Sequence, residues 1–338
     1  MLQENDAPAA ELWMMAHLGT PMAIRVAATL RLADHLVAGH RTAAALAPLA
    51  AVDPDALERL LRYLAARKVL RHDDAGGYEL TELGEALRDD HPSGLRAGFD
   101  IEGAGRAELA YVQLLHSIRT GEAAFPVQFG RTFWQDLAAD PGLTATFNRL
   151  MGGDVPARTR RLLTAYDWAA HGHLVDVGGG DGSMLGTLLT AFPSLRGTLV
   201  DLPETARAAA ASLAARGLTD RCDVVEGSFF DPLPAGLGAY LLSWILHDWA
   251  DGPAVAVLRR CAEAAGPGGT VLVVEKTGQA GDAPHTGLDL RMLTYFGGKE
   301  RGLAELTALA TPAGLRVVAV HPAGAMSIVE LTTTITGS

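Results

Sequence analysis

This chain has little cysteine, little lysine and no long apolar run. Its two cysteines, Cys222 and Cys261, form no CxxC motif, which leaves a zinc or redox site without support. Cys222 opens a strand-like run and Cys261 lies in a helical pattern, so both read as small buried apolar side chains. Three lysines (Lys68, Lys276 and Lys299) give Schiff-base chemistry few candidates. No stretch reaches the ~18 apolar residues of a membrane span, and the N-terminus shows no basic segment followed by an apolar one. A soluble cytoplasmic protein is expected. A basic excess is also missing. Against 28 Lys+Arg stand 39 Asp+Glu, a net charge of −11, which argues against nucleic acid as partner because phosphate binding needs a basic face.

What is present is a large supply of core. The 338 residues are 49% hydrophobic, enough for two domains. Residues 11–39 place Leu12, Met15, Leu18, Met22, Val26, Leu30 and Leu36 at helical spacing. Thr42 can cap a short helix, and Asp53-Pro54 opens another through Leu57, Leu60, Leu61 and Leu64. The segment VLRHDDAGGYELT then reads as two extended pieces around a turn. Helices followed by a small hairpin are the order of a winged helix. Its region, residues 41–100, carries eight Arg/Lys and eleven Asp/Glu, so a regulator that binds DNA is disfavoured and dimerisation is the better use. An apolar start with Trp13, Met14 and Met15 suits a two-fold interface.

Residues 95–165 read as helical and rich in aromatics. From about His173, apolar runs alternate with helix-like ones: HLVDV, GTLVDL, CDVVEG, AYLLSW and TVLVVEK, then LRVVAV and SIVELTT joined by HPAGAM. This predicts a parallel sheet covered by helices on both faces, with an antiparallel hairpin at its edge. His171 and His173, before the first of these strands, lack a third metal ligand and read as a solvated loop.

The run LVDVGGGDGS is a strand ending in Asp176 followed by Gly178, Gly179, Gly180 and Gly182, a turn where a ligand can touch backbone. The dinucleotide fingerprint GxGxxG fails, because Ser183 stands where its third glycine belongs. The GxGxG spacing of S-adenosylmethionine (SAM) enzymes fits instead. Asp201 ends the next strand, where a carboxylate can accept both ribose hydroxyls and Leu202 can flank adenine. The third strand leads to Ser228 and Phe229, and Phe229 can stack on adenine or pack in the core. After the fourth comes SWILHDW, where His247 is a candidate base and Asp248 a candidate helix cap.

Taken together, these segments resemble the SAM-dependent O-methyltransferases of the caffeate and polyketide-tailoring type. The resemblance covers nearly the whole chain, including HSIRTGEAAF, FNRLM, LVDVGGGDGS, TLVDLP, HDW, GPGG and GGKER; HDW with GGKER at this spacing is its specific part. It implies a doubly wound, Rossmann-like α/β domain with a seven-stranded, mostly parallel sheet over 166–338. It also implies a mainly helical, winged-helix-like dimerisation domain over 1–100, and a helical linker over 101–165 that contributes to the acceptor pocket. Asp176, Gly178, Gly180, Asp201, Leu202, Ser228, Phe229, Ser243 and Trp244 would hold SAM. His247 would be the general base, buttressed by Glu275 and Glu300. Trp134, Met151, Asp248, Met292 and Phe296 would contact a small aromatic acceptor bearing a hydroxyl, and no metal is required. Ser228 departs from the family, which commonly has Asp there. The alternative is a diverged member that uses SAM for hydroxylation, decarboxylation or cyclisation; retention of His247, Glu275 and Glu300 favours methyl transfer.

Overall fold

The structure, a computed structural model, describes residues 7–152, 155–277 and 286–334. The chain separates into two compact units, Met1–Leu109 and Ala110–Ser338. The division lies at 109/110 rather than at 100/101, and the helices of 110–165 belong to the unit that holds the large sheet.

In the first unit the helical stretch 11–39 is three helices, Ala7–Ala16, Gly19–Thr29 and Leu32–Val37. Arg31, with φ +51°, sits in the left-handed region and breaks the chain between the second and third. Two more helices follow, Ala43–Ala50 and Pro54–Ala66, and both caps expected from the sequence form. Thr42 Oγ1 accepts from the Ala45 N–H at 3.3 Å, and Asp53 Oδ1 from that of Ala56 at 2.8 Å. Strands β1 (Leu70–His72) and β2 (Tyr78–Leu80) make the antiparallel wing. Leu32, Leu36, Leu46, Leu57, Leu61 and Leu64 fill this unit's core, whereas Leu12, Trp13, Met15 and Leu18 stay exposed.

The second unit is built on β3 (His173–Val177), β4 (Arg196–Asp201), β5 (Cys222–Glu226), β6 (Ala239–Ser243), β7 (Thr270–Glu275), β8 (Leu315–Ala323) and β9 (Met326–Thr333). The sheet order is β5-β4-β3-β6-β7-β9-β8. Strands β3 to β7 pair in parallel, and β9 pairs antiparallel with both β7 and β8. The hairpin is tighter than expected. His321, Pro322 and Ala323 continue β8, leaving only Gly324-Ala325 as the turn.

Alternate residues of each strand face opposite layers. Val175, Val177, Tyr240, Leu242, Val271 and Val273 pack against the helices Asp251–Ala265 and Leu303–Ala310. Leu174, Leu199, Leu241, Leu272 and Ile328 pack against Ser183–Ala191, Pro203–Ala215 and Trp168. Cys222 and Cys261 are both buried free thiols. The sheet order reverses between β3 and β6, and in such sheets ligands bind beyond the strand ends at this point. The predicted cofactor turn and the HDW segment follow β3 and β6, one on each side of it.

Trp168 is fully buried and its Nε1–H donates to the Leu162 carbonyl at 2.9 Å. Trp168→Ala is expected to destabilise the second unit by about 3–5 kcal/mol, read as a lower urea midpoint in that unit's transition.

Candidate active site

Gly178 follows β3 with φ +74°, and a Cβ there would stand 2.6 Å from Ile245 Cδ1 and 3.3 Å from Phe229 Cε1. Only glycine fits both the angle and the contact. Two residues on, a Cβ at Gly180 would meet nothing within 4 Å, so the turn borders open space. The Gly180 N–H donates to Asp201 Oδ2 at 2.9 Å, while Asp201 Oδ1 accepts from Leu202 N at 2.7 Å. Burial raises the pKa of Asp201, and these two N–H groups only partly offset it. Asp176 is fully buried. Burial, then Asp201 and Asp181, push its carboxyl up to about 7, and its Oδ2 has no hydrogen-bond partner. Leu202 lies 49% exposed beside this turn. Open space, a carboxylate edge and an apolar shelf fit a nucleoside.

Ser228 Oγ accepts from the Phe230 N–H at 3.2 Å, so this hydroxyl is engaged in its own turn. Phe229 lies against the glycine turn on one side and edge-on to Trp249 on the other, with ring centroids 5.8 Å apart. Both readings of Phe229, cofactor neighbour and core residue, find a surface of the ring to use.

His247 sits in a single 3-10 turn, Leu246–Asp248, and is buried. Its Nδ1 lies 3.2 Å from Glu275 Oε2 and 3.0 Å from Glu300 Oε1. One N–H divided between two carboxylates aligns fully with neither, and Nδ1 and Glu300 Oε1 lack a well-aligned hydrogen bond despite their closeness. Glu275, at the end of β7, gives its other oxygen to the Leu246 N–H at 3.0 Å. On the far side of the ring Nε2 stands 3.4 Å from Asp248 Oδ1. Burial disfavours the imidazolium, but Glu275, Asp248 and Glu300 outweigh it and raise the pKa of His247 well above the usual histidine value. Burial raises Asp248 to about 7; Glu275 and Glu300 add to this while His247 opposes it.

Asp248 is not the helix cap expected from the sequence. The helix Asp251–Ala265 starts after Ala250 and has no side-chain cap; the carboxylate of Asp248 faces the imidazole instead, where an ionic partner is available. Nor do His171 and His173 lie in a solvated loop. His171 Nε2 is 2.6 Å from Tyr166 Oη, and His173 Nε2 is 2.9 Å from Thr198 Oγ1. Among the described residues, no three His, Cys, Asp or Glu side chains gather as a metal-binding group.

Ser243 closes β6 and Trp244 follows it. Trp244 has φ +60°, rare for a bulky residue, at a cost of order 1–3 kcal/mol that surrounding contacts must offset. Its indole is edge-on to His247 at 5.3 Å, and the Lys276 ammonium lies over its ring at 5.0 Å. Among the proposed acceptor contacts, Trp134 stacks on Phe296 at 5.3 Å, and both meet Phe133 edge-on. Phe147 and Tyr295 complete the cluster. Met292 is buried on the helix Thr286–Phe296, whereas Met151 is 52% exposed.

Residues 111–316 match the O-methyltransferase domain family, and residues 14–90 match the O-methyltransferase dimerisation domain. The chain belongs to the O-methyltransferase family. Over 320 residues this methyltransferase is 57% identical to the 2,7-dihydroxy-5-methyl-1-naphthoate 7-O-methyltransferase of Streptomyces carzinostaticus, spanning 94% of this chain and 96% of that protein. It is 44% identical to the aclacinomycin 10-hydroxylase RdmB of Streptomyces purpurascens, covering 93% and 86%. The crystal structure of NcsB1, an O-methyltransferase of neocarzinostatin biosynthesis in complex with SAM and 2-hydroxy-5-methyl naphthoic acid, superposes with a TM-score of 0.91 at 56% identity, covering 95% and 98%. The enzyme's cofactor is SAM, and the turn at Gly178–Gly180 with Asp201 fits its nucleoside. Among the described residues no helix is long and apolar enough to cross a membrane.

Three residues of this methyltransferase's site escaped the sequence reading. Ile245 fills the space that a side chain at Gly178 would need. Asp289 accepts from the Glu300 N–H at 2.9 Å. Arg301 binds the backbone around His247. Ile245 and Arg301 lie in segments already singled out, SWILHDW and GGKER, where their neighbours His247 and Glu300 drew the attention.

Asp201→Ala is expected to weaken SAM binding about tenfold or more, because a charged acceptor of hydrogen bonds is lost. Calorimetry with SAM measures this; an unchanged Kd removes Asp201 from the cofactor site.

Proposed function

We propose that this protein transfers a methyl group from SAM to a phenolic hydroxyl of a naphthoate-type aromatic acid in secondary metabolism, with His247 as the general base. The observation that carries the base assignment is the buried imidazole with Nδ1 against two carboxylates, Glu275 and Glu300. That arrangement supports a ring proton on Nδ1, which would leave Nε2 able to take one. The 57% identity to an enzyme named for a dihydroxy-naphthoate supports the acceptor class.

SAM, when bound, supplies an electrophilic methyl group on a sulfonium. Asp176, Gly178, Gly180, Asp201, Leu202, Ser228, Phe229, Ser243 and Trp244 would hold it, with Asp201 on the ribose and Leu202 and Phe229 beside adenine. The chain then has two tasks. The first is alignment: Trp134, Met151, Met292 and Phe296 would grip the aromatic ring so that its hydroxyl lies in line for displacement. The second is proton removal. A phenol with a pKa of ~10 is a poor nucleophile until it loses its proton. His247 Nε2 takes that proton, and Glu275 and Glu300 stabilise the imidazolium formed. Asp248, close to Nε2, would accept a hydrogen bond from an acceptor hydroxyl at the same place.

The quaternary reading is a homodimer formed through residues 1–100, with 101–165 contributing to the acceptor pocket. The match of residues 14–90 to the dimerisation domain and the exposed apolar side chains of Leu12, Trp13 and Met15 support it. A second chemistry has one specific argument, the 44% identity to a protein named as a hydroxylase. The His247–Glu275–Glu300 constellation favours methyl transfer, because proton removal from a hydroxyl is its use.

His247→Ala is expected to retain SAM binding by calorimetry and to lose about 10²-fold or more in turnover with hydroxylated naphthoates, followed by product mass. Undiminished turnover would sink the base assignment, and a product heavier by one oxygen would replace methyl transfer with hydroxylation. A pH test is independent of this. Because carboxylates raise the pKa of His247, the unprotonated base is lost as pH falls, and kcat/KM should decline toward acid with a midpoint above the ordinary value of ~6.5. Glu300→Gln removes one of the charges that raise it, so the midpoint should move to lower pH. A midpoint that stays put excludes Glu300 from this role.

A further inference from the structure

We propose that Arg301 is a positioning residue that sets where the His247 imidazole stands; the proposal rests on the reading of His247 as the base. Arg301 is almost fully buried, and its guanidinium makes five contacts. Nη1 donates to the carbonyls of Leu246 at 2.8 Å and Lys299 at 3.2 Å. Nη2 donates to the Trp249 carbonyl at 2.7 Å and to Asp251 Oδ1 at 2.8 Å, and Nε donates to the same oxygen at 3.1 Å. A guanidinium has five N–H donors in a fixed plane, so every one of them is committed.

The two carbonyls at 2.8 and 2.7 Å flank the His247-Asp248 pair. The carbonyl between them, that of His247, is taken by the Lys299 N–H at 2.9 Å. It also lies where a Cβ at Gly298 would meet it at 2.2 Å, so the two segments run in backbone contact. Residues 298–301 thus hold three carbonyls of the turn that carries the histidine, those of Leu246, His247 and Trp249, while Glu300, in the same segment, reaches Nδ1. The turn needs such support. It is a single 3-10 turn, and its own bonds, Asp248 N to Ile245 O at 3.3 Å and Trp249 N to Leu246 O at 3.2 Å, are long.

A simpler role, neutralising Asp251, does not account for these contacts. The Asp251 side chain is 69% exposed, where an ion pair contributes little, and three of the five contacts go to carbonyls. A lysine at 301 has its donors at one point and cannot span Leu246, Trp249 and Asp251 together.

The test uses the full-length enzyme with Arg301→Lys and Asp251→Asn, read by steady-state kinetics and by NMR titration of the His247 ring. Arg301→Lys is expected to lower kcat about tenfold or more, with acceptor KM and SAM affinity within about threefold. The His247 titration should move toward the ordinary histidine value as Glu300 loses its register with Nδ1. Asp251→Asn, which leaves the carbonyl contacts in place, should change kcat less than about threefold. If Arg301→Lys does not fold, Gly298→Ala, whose Cβ pushes on the His247 carbonyl, should give the same pair of effects. Wild-type kcat and an unmoved titration in the folded variant overturn the proposal, as does an Asp251→Asn loss equal to that of Arg301→Lys. The titration arm stands apart from the base assignment: if His247→Ala retains turnover, the base reading fails while the displaced titration still reports positioning.

Discussion

One ring nitrogen organises this site. His247 Nδ1 lies between Glu275 and Glu300, and the carboxylates come from distant parts of the chain. Glu275 is the last residue of β7, placed by its pairing with β6 and β9. Glu300 belongs to the loop after the helix Thr286–Phe296, fixed there by Asp289. Three carboxyl groups around one buried imidazole favour its protonated form over the neutral one, so the local electrostatics and the basicity of His247 have the same cause.

The sheet supplies the rest. A parallel run of five strands sends its C-terminal ends to one edge, and the reversal of order between β3 and β6 opens a crevice there. Everything the SAM nucleoside would need projects from β3, β4 and β5, and everything the proton transfer needs from β6 and β7 with the loop at 298–301. On the proposed assignment the switch point divides the nucleoside's residues from the acid–base residues, with Ser243 and Trp244 at the end of β6 on the cofactor as well. The wall proposed for the acceptor is different in kind: Trp134 and Phe296, with Phe147 beside them, pack through rings from three helices, with shape in place of charge.

Much of this was legible in the sequence because it rests on local rules. Thr42 and Asp53 cap helices by their own side chains, the strands of 173–275 are continuous apolar runs, and the glycines after Asp176 answer to backbone angle. The histidine and its two glutamates were legible through the resemblance to a family, not through spacing. Asp248 was misread because a cap is the commonest use of Asp before a helix, and no local rule shows that the helix begins three residues later. Arg301 was invisible for another reason. Its partners are mainly carbonyl oxygens, which every residue has, so no side-chain pattern marks them.

The bonds from Gly180 and Leu202 to Asp201 have a consequence for affinity. Each carboxylate oxygen already accepts one backbone N–H, so the protein itself has chosen the side chain's rotamer. A carboxylate oxygen has a second lone pair, so each can accept one more hydrogen bond. A diol meeting this carboxylate therefore need not freeze a free side chain, which would cost about 0.5–1.5 kcal/mol. On the proposed ribose contact, the preorganisation would come from two peptide N–H groups, those of Gly180 and Leu202.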